Sequence, residues 1–406
     1  MRQVDLREYR RSEYRLSATE RDGLKTALPS LRVENKVGEE GVYSLTPGAT
    51  VGALQIADLS VLIQPKMGIP QLLSLACYAM GEFQPQDTDF AFGEDEALPD
   101  ILALSLAAAS RRAFRRGLLH GYRTEEEALY GIRGRIRFDD QLRRRFGVAL
   151  PVEVRYDEFT DDILANRLVK AAALRLSRMQ LRSREARRGL GWVSGMLKRV
   201  SLIELSPGKI PVVAFDRLSE HYRGVVALAR LILRHSEFQA TRGEVRASGF
   251  LVDMNRLFQE FVTRALRDAL EISERSFRSD RNLPRITLDE AGDVKLEPDL
   301  SWWEGGACTF VGDAKYKRIA DERVPNADLY QLLAYATALD LPGGMLIYAK
   351  GEADPITHIV KHAGKQLQVR ALDLSRPLDE ILARVGDLAD QIRRLRNSAP
   401  SLSTAA

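Results

Sequence analysis

The sequence predicts a multidomain α+β/α/β protein, with a β-rich and then helical N-terminal region ahead of a C-terminal α/β layered core. Three observations carry this. The chain has 406 residues, more than one hydrophobic core ordinarily organises. It is 45% hydrophobic and 29% charged, which describes a folded globular chain. Its texture also changes twice, near residues 100 and 245, which places a 1–245 region before a 246–406 domain.

Residues 1–100 hold short strand-like runs, Val42–Leu45, Gly52–Ile56 and Ser60–Gln64, punctuated by Gly and Pro and ending at Pro65-Lys66. Residues 101–245 turn helical and basic. Apolar residues recur at helical spacing over Ile101–Leu119 and Asp161–Leu181, with an RGRIRF strand between them. Thr160 reads as the N-cap of the second helix, with Asp161 and Asp162 in its first turn, where the helix dipole favours acids. From 246 onward the pattern predicts a helix over Met254–Leu270 and then a hairpin. A further helix, a buried strand at Met345–Tyr348, an amphipathic helix over Ile381–Leu395 and a frayed tail from Ser398 complete the chain.

The hairpin concentrates the chemistry. LEPDLSWWEGGACTFVGDAKYK predicts an extended run Asp299–Trp303, a turn at Glu304-Gly305-Gly306 and a second strand through Cys308–Lys315. Alternation puts Thr309, Val311, Asp313 and Lys315 on one face, with Phe310, Gly312, Ala314 and Tyr316 facing the core. The fold-back brings Asp299 beside Asp313 and Lys315. Mg²⁺ takes one or two protein carboxylates and keeps waters, leaving positions for phosphate oxygens. Two carboxylates and a lysine therefore suit metal-assisted phosphodiester chemistry. Lys315 has three roles open to it: orienting the attacking water, deprotonating it, or neutralising the phosphate. Taken singly, each half of the motif is a structural commonplace, since Pro-Asp marks turns. The downstream helix strengthens the functional reading. Gln331 and Tyr335 are i, i+4 neighbours on one face, and Leu329, Leu332, Leu333 and Ala336 form an apolar stripe.

Absences bound the function. The sequence has no G-x-x-x-x-G-K-[ST], so nucleotide hydrolysis by a P-loop belongs elsewhere; it has no C-x-x-C pair and no Gly-x-Ser-x-Gly elbow. His358 and His362 lack the H-E-x-x-H glutamate, and Ile359-Val360 favours a strand that separates them. Two cysteines, Cys77 and Cys308, supply neither a four-Cys iron–sulfur cluster nor a disulfide framework. The charged start MRQVDLRE does not open a secretory signal, and the apolar run from Ile101 is too short to span a bilayer. These features predict a cytoplasmic protein with no membrane association.

The hairpin and the Gln-x-x-x-Tyr helix together resemble the PD-(D/E)XK nuclease superfamily, in its RecB-like branch. Upstream, VGALQIADLSVLIQPKMGI (51–69), GIRGRIRF (131–138), YDEFTDDILANRLVKAAALRL (156–176) and MNRLFQEFV (254–262) are similar to McrC, the endonuclease subunit of McrBC modification-dependent restriction systems. The resemblance runs from about residue 45 to 350. One departure is visible: where the family commonly reads Leu-Phe-Glu, this chain has Leu257-Phe258-Gln259, with Glu260 one place later. The structural reading, in which this helix presents Phe258, Phe261 and Val262 to the core, is preferred to an acidic role for Glu260.

The resemblance implies a restriction-endonuclease-like core with Asp299, Asp313 and the carbonyl of Ala314 holding Mg²⁺ (or Mn²⁺). Lys315 would act on water and phosphate, with Gln331 and Tyr335 positioning the lysine or the DNA. It further implies an McrB-like AAA+ ring that binds GTP, modified double-stranded DNA as substrate, and a second copy for a double-strand break. The N-terminal region would engage the ring and stimulate its hydrolysis. Residues 101–200 carry 22 Lys/Arg against 11 Asp/Glu, leaving the rest of the chain net acidic. Such a stripe suits phosphate neutralisation or docking onto the partner, and an arginine acting in trans on its nucleotide is a further option. The alternatives are a same-fold nuclease with an ATP-driven partner acting on unmodified or phage DNA, a non-catalytic activator and DNA-binding scaffold, and a free-standing repair exonuclease.

Overall fold

The computed structural model describes residues 2–56, 58–81, 97–146, 148–203, 205, 210–235, 240–242, 245–279, 284–317, 324–349 and 355–398. The expected tail beyond 398 lies outside the described residues. The chain is a mixed α/β protein that divides into two compact units. One holds 1–95, 239–247 and 251–406; the other holds 96–238 and 248–250. This differs from the 1–245/246–406 division expected from texture. The reason is a sheet. Strand Arg2–Arg7 pairs in parallel with Leu59–Gln64, which pairs antiparallel with Thr50–Ile56, and Val245–Asp253 lies next to Thr50–Ile56. A boundary at residue 245 therefore falls at the start of a strand that belongs to the N-terminal sheet.

In the first unit the six-stranded sheet runs in the order Phe277–Arg278, Leu300–Glu304, Ala307–Lys315, Gly343–Ala349, Gln366–Leu372, Ile356–Ile359. Its three central strands are parallel, with antiparallel strands at both sides. The expected hairpin is present. Gly305 (φ +56°) and Gly306 (φ +89°) make its turn in the left-handed region that glycine tolerates. The expectation of one open face is corrected: Phe310 to Ala314 are all buried, because this is a central strand covered on both sides. On one side Val311 joins Leu332, Tyr335 and Ala336 of helix Asn326–Ala338 in a core with Leu346 and Tyr348. On the other, Phe258 of helix Met254–Leu270 meets the Tyr316 ring at 6.1 Å. A register shift after Trp302 puts Thr309 in a bulge, so the alternation holds only from Phe310 onward. Phe258, Phe261 and Val262 are buried, as the structural reading of that helix expects. Strand Gly343–Ala349 is buried throughout.

The second unit packs helices Leu98–Ala113, Leu164–Ser177, Arg184–Met196 and Arg223–His235. It also carries a three-stranded sheet of Gly121–Leu129, Val152–Thr160 and Arg135–Ile136, with helix Phe138–Arg145 in the connection. The first helix stops at Ala113 rather than Leu119, and the chain turns at Gly117 with φ +88°. Thr160 ends a strand and caps nothing. Its Oγ1 accepts from the Asp162 amide at 3.1 Å, and the helix begins at Leu164. Strand Gly121–Leu129 is hidden in the sequence because Tyr-Arg-Thr-Glu-Glu-Glu carries charge on both faces and shows no apolar alternation. Among the described residues, no helix is long and apolar enough to cross a membrane.

Candidate active site

The site forms where the first hairpin strand begins and the second ends. Asp299 stands just before strand Leu300–Glu304, and Asp313 and Lys315 close strand Ala307–Lys315. Backbone donors lock the two carboxylates to each other's strands. The Asp299 amide donates to Asp313 Oδ1 at 3.1 Å, and the Ala314 amide donates to Asp299 Oδ2 at 3.0 Å. Asp313 is only 1% exposed. Its Oδ2 lies 2.5 Å from Lys315 Nζ, a short charge-assisted contact.

Electrostatics follow from burial. Desolvation, reinforced by the Asp313 charge, pushes the Asp299 carboxyl up to about 7. Burial works against the Lys315 ammonium, but Asp313 and then Asp299 and Asp328 more than offset it, and its pKa is raised. The lysine is therefore a cation at neutral pH.

The predicted helix residues complete a chain of hydrogen bonds. Lys315 Nζ donates to Gln331 Oε1 at 3.0 Å, Gln331 Nε2 donates to Tyr335 Oη at 2.6 Å, and the Tyr335 hydroxyl donates to the Glu297 carbonyl at 3.2 Å. Burial, followed by the Asp313 charge, raises the Tyr335 pKa, so the phenol stays protonated. The structure thus brings together Asp299, Asp313, Ala314, Lys315, Gln331 and Tyr335.

The donor set suits a hard divalent cation. It offers two carboxylates held side by side at one strand end, the number that Mg²⁺ commonly takes from protein. Among the described residues no group of three His, Cys, Asp or Glu could hold a metal ion, so a transition-metal cage is not built here. His358 lies in strand Ile356–Ile359 and His362 in the following turn at φ +64°, which separates them. Glu260 pairs with Arg256 at 3.1 Å on its own helix.

Sequence reasoning missed Asp328. It is buried, accepts from the Tyr348 hydroxyl and pairs with Lys317 at 2.6 Å, tying the Gln331 helix to the end of strand Ala307–Lys315. Its signal was an acid in the first turn of that helix. A second missed feature lies on the sheet arm of the other unit. There Tyr130, Ile132, Phe138, Leu142, Val148 and Leu150 are exposed, and Phe146 is 89% exposed.

A layered α/β protein with a two-carboxylate and lysine centre is the class these features define. Residues 45–349 match the family described as McrBC 5-methylcytosine restriction system component, and the chain belongs to that family. It is 24% identical over 353 residues to the type IV methyl-directed restriction enzyme EcoKMcrBC of Escherichia coli K12, covering 81% of this chain and 99% of that protein. The fold is similar to a structure described as a refined half-complex from the tetradecameric assembly of Thermococcus gammatolerans McrB AAA+ hexamers with bound McrC. That match has a TM-score of 0.59 at 18% identity, over 96% of this chain and 100% of the other.

Proposed function

We propose that this chain is the DNA-cleaving subunit of an McrBC-like restriction system, a Mg²⁺-dependent endonuclease with a PD-(D/E)XK core. The observation that carries the reading is the convergence of Asp299, Asp313 and Lys315 at one strand end, with Gln331 and Tyr335 fixing the lysine. Asp299, Asp313 and the Ala314 carbonyl would hold Mg²⁺, with Mn²⁺ as a substitute. A divalent ion there supplies a more acidic water and charge stabilisation at the scissile phosphate. Lys315, held cationic, places its ammonium at the developing phosphate charge, and Gln331 fixes its direction.

The substrate is modified DNA in the cytoplasm, in keeping with the methyl-directed name of the E. coli relative. The driving partner is a GTP-hydrolysing AAA+ ring, in keeping with the McrB hexamers that hold McrC in the similar structure. On this chain the exposed apolar arm around Phe138, Leu142 and Phe146 is the surface that supports ring docking. Arg135 and Arg143 are exposed on the same arm, whereas Arg123, Arg137 and Arg145 are engaged with acids. A double-strand break requires two copies of the site.

The test is cleavage of cytosine-methylated plasmid by the chain with its AAA+ partner, Mg²⁺ and GTP, alongside Asp313→Ala and Lys315→Ala. Cutting by wild type, lost in both variants while stimulated GTP hydrolysis persists, supports the reading. Stimulation without cutting under any nucleotide or DNA modification replaces it with an activator scaffold.

A further inference from the structure

The residue after the catalytic lysine is held by side chains from the far end of the chain. The Tyr316 hydroxyl donates to Glu8 Oε2 at 3.3 Å, and the Tyr9 hydroxyl donates to the Tyr316 carbonyl at 3.4 Å. Glu8 Oε2 also accepts the Lys66 amide at 3.1 Å. Lys66 lies two residues beyond strand Leu59–Gln64, so Glu8 ties two strands of the N-terminal sheet to the catalytic strand. All of these residues lie in one compact unit.

Stability alone does not explain this arrangement. Glu8 is 1% exposed and its Oε1 accepts no hydrogen bond, a costly way to fill a buried position. Burial raises its pKa, with the Lys66 amide and ammonium opposing. Tyr9 adopts φ +57° without being glycine; the residue is 41% exposed, and its ring lies 3.8 Å from the Lys66 ammonium. A left-handed tyrosine carries backbone strain, which the contact of its ring with Lys66 and the bond of its hydroxyl to Tyr316 offset. Its hydroxyl reaches the backbone carbonyl of Tyr316, the residue after Lys315. Sterically costly residues that persist at a strand end next to a reactive group mark a positioning device.

We propose that Glu8 and Tyr9 are positioning residues for the nuclease centre: they clamp Tyr316 and thereby fix where the catalytic strand delivers Lys315. The N-terminal strand module is then part of the cleavage machinery. This deepens the proposed endonuclease function and rests on it.

The decisive variant is Tyr9→Phe, which removes one hydroxyl and keeps the ring under Lys66. Single-turnover cleavage of methylated plasmid is measured in the complex with the AAA+ partner, with DNA affinity, GTP hydrolysis and unfolding temperature recorded in parallel. The expected result is a cleavage rate about 3- to 10-fold lower, the scale of one hydrogen bond, with the other three readouts unchanged. Glu8→Gln, which keeps an acceptor for Lys66 and Tyr316, is expected to stay within about 2-fold of wild type. Glu8→Ala loses more than Tyr9→Phe, and if it fails to fold, Tyr9→Phe still decides. Cutting by Tyr9→Phe at the wild-type rate overturns the proposal, as does a loss that appears in DNA affinity or unfolding temperature instead. A wild-type complex that hydrolyses GTP and does not cut removes the endonuclease reading itself, and this inference with it.

Discussion

Asp299 and Asp313, fourteen residues apart in sequence, meet because the backbone amide of Asp299 donates to Asp313 Oδ1 at 3.1 Å. A half-buried carboxylate beside a buried one is repelled by it, which, after desolvation, is one reason the Asp299 pKa rises to about 7. Asp313→Asn keeps an acceptor for the Asp299 amide and removes that repulsion. Cleavage is expected to fall by at least about 100-fold, while the metal-free unfolding temperature changes little, because relief of the repulsion offsets loss of the Lys315 charge pair. Added Mg²⁺ should stabilise wild type, by about 2.7 kcal/mol at a hundredfold excess over Kd, and leave the variant unmoved. Thermal unfolding with and without Mg²⁺ checks this. A variant that unfolds earlier than wild type without metal would show that Asp313 is structural.

The Lys315–Gln331–Tyr335 relay predicts a graded series. Gln331→Ala removes the only uncharged acceptor given to Lys315 Nζ among the described residues, so its rate should fall about 10- to 100-fold. Tyr335→Phe removes a hydroxyl that acts one step further away. Its cost should be about 1 kcal/mol, or less than about 10-fold. Single-turnover rates in the partner complex test the order. Equal losses would mean that Tyr335 touches the DNA directly.

Much of this was legible in the sequence for physical reasons. The Gly305-Gly306 turn can adopt left-handed angles cheaply, so the hairpin was readable from composition. The Met254–Leu270 helix ends at the expected residues because its apolar spacing is regular and Asp253 caps it. What failed was anything set by long-range pairing. The strands Gly121–Leu129 and Val152–Thr160 are held by each other; the first carries charge on both faces and no periodic signal, whereas Val152, Val154 and Tyr156 of the second alternate onto a small core. Strand Arg2–Arg7 finds its partner more than fifty residues on, at Leu59–Gln64. Glu8 and Tyr9 carry no local signal of their contacts, because Tyr316 lies 308 and 307 residues away in sequence.

Asp328 predicts a stability effect beside the site. It receives the hydroxyl of Tyr348, which is fully buried, and pairs with Lys317. Asp328→Ala leaves that hydroxyl without its acceptor and should cost about 1–3 kcal/mol. Asp328→Asn keeps the acceptor and loses only the partly exposed ion pair, costing about 1 kcal/mol or less. Urea unfolding of the two variants separates these contributions. Similar losses in both would assign the stability to charge rather than to the Tyr348 bond.

In the other unit, Asp162 predicts a pH dependence. Its carboxylate binds the Arg167 guanidinium at 2.7 and 2.8 Å, accepts from the Ser201 amide and hydroxyl at 2.8 and 2.7 Å, and pairs with Arg123. Arg167 comes first among the causes that hold its pKa far below the usual 3.8. A depressed carboxylate contributes stability in full above its unfolded value and loses it as pH falls through the folded one. At pH 7, Asp162→Asn leaves two arginines facing a neutral amide and should cost about 3–5 kcal/mol. Below about pH 4 the unfolded wild-type chain takes up the proton that the folded form refuses, so the wild-type advantage shrinks as acid is added. Urea unfolding of both proteins across pH 3–7, followed by helical circular dichroism, measures the difference directly. A gap that stays constant through that range would mean that the side-chain shape of Asp162, rather than its charge, holds strand Gly121–Leu129 to helix Leu164–Ser177.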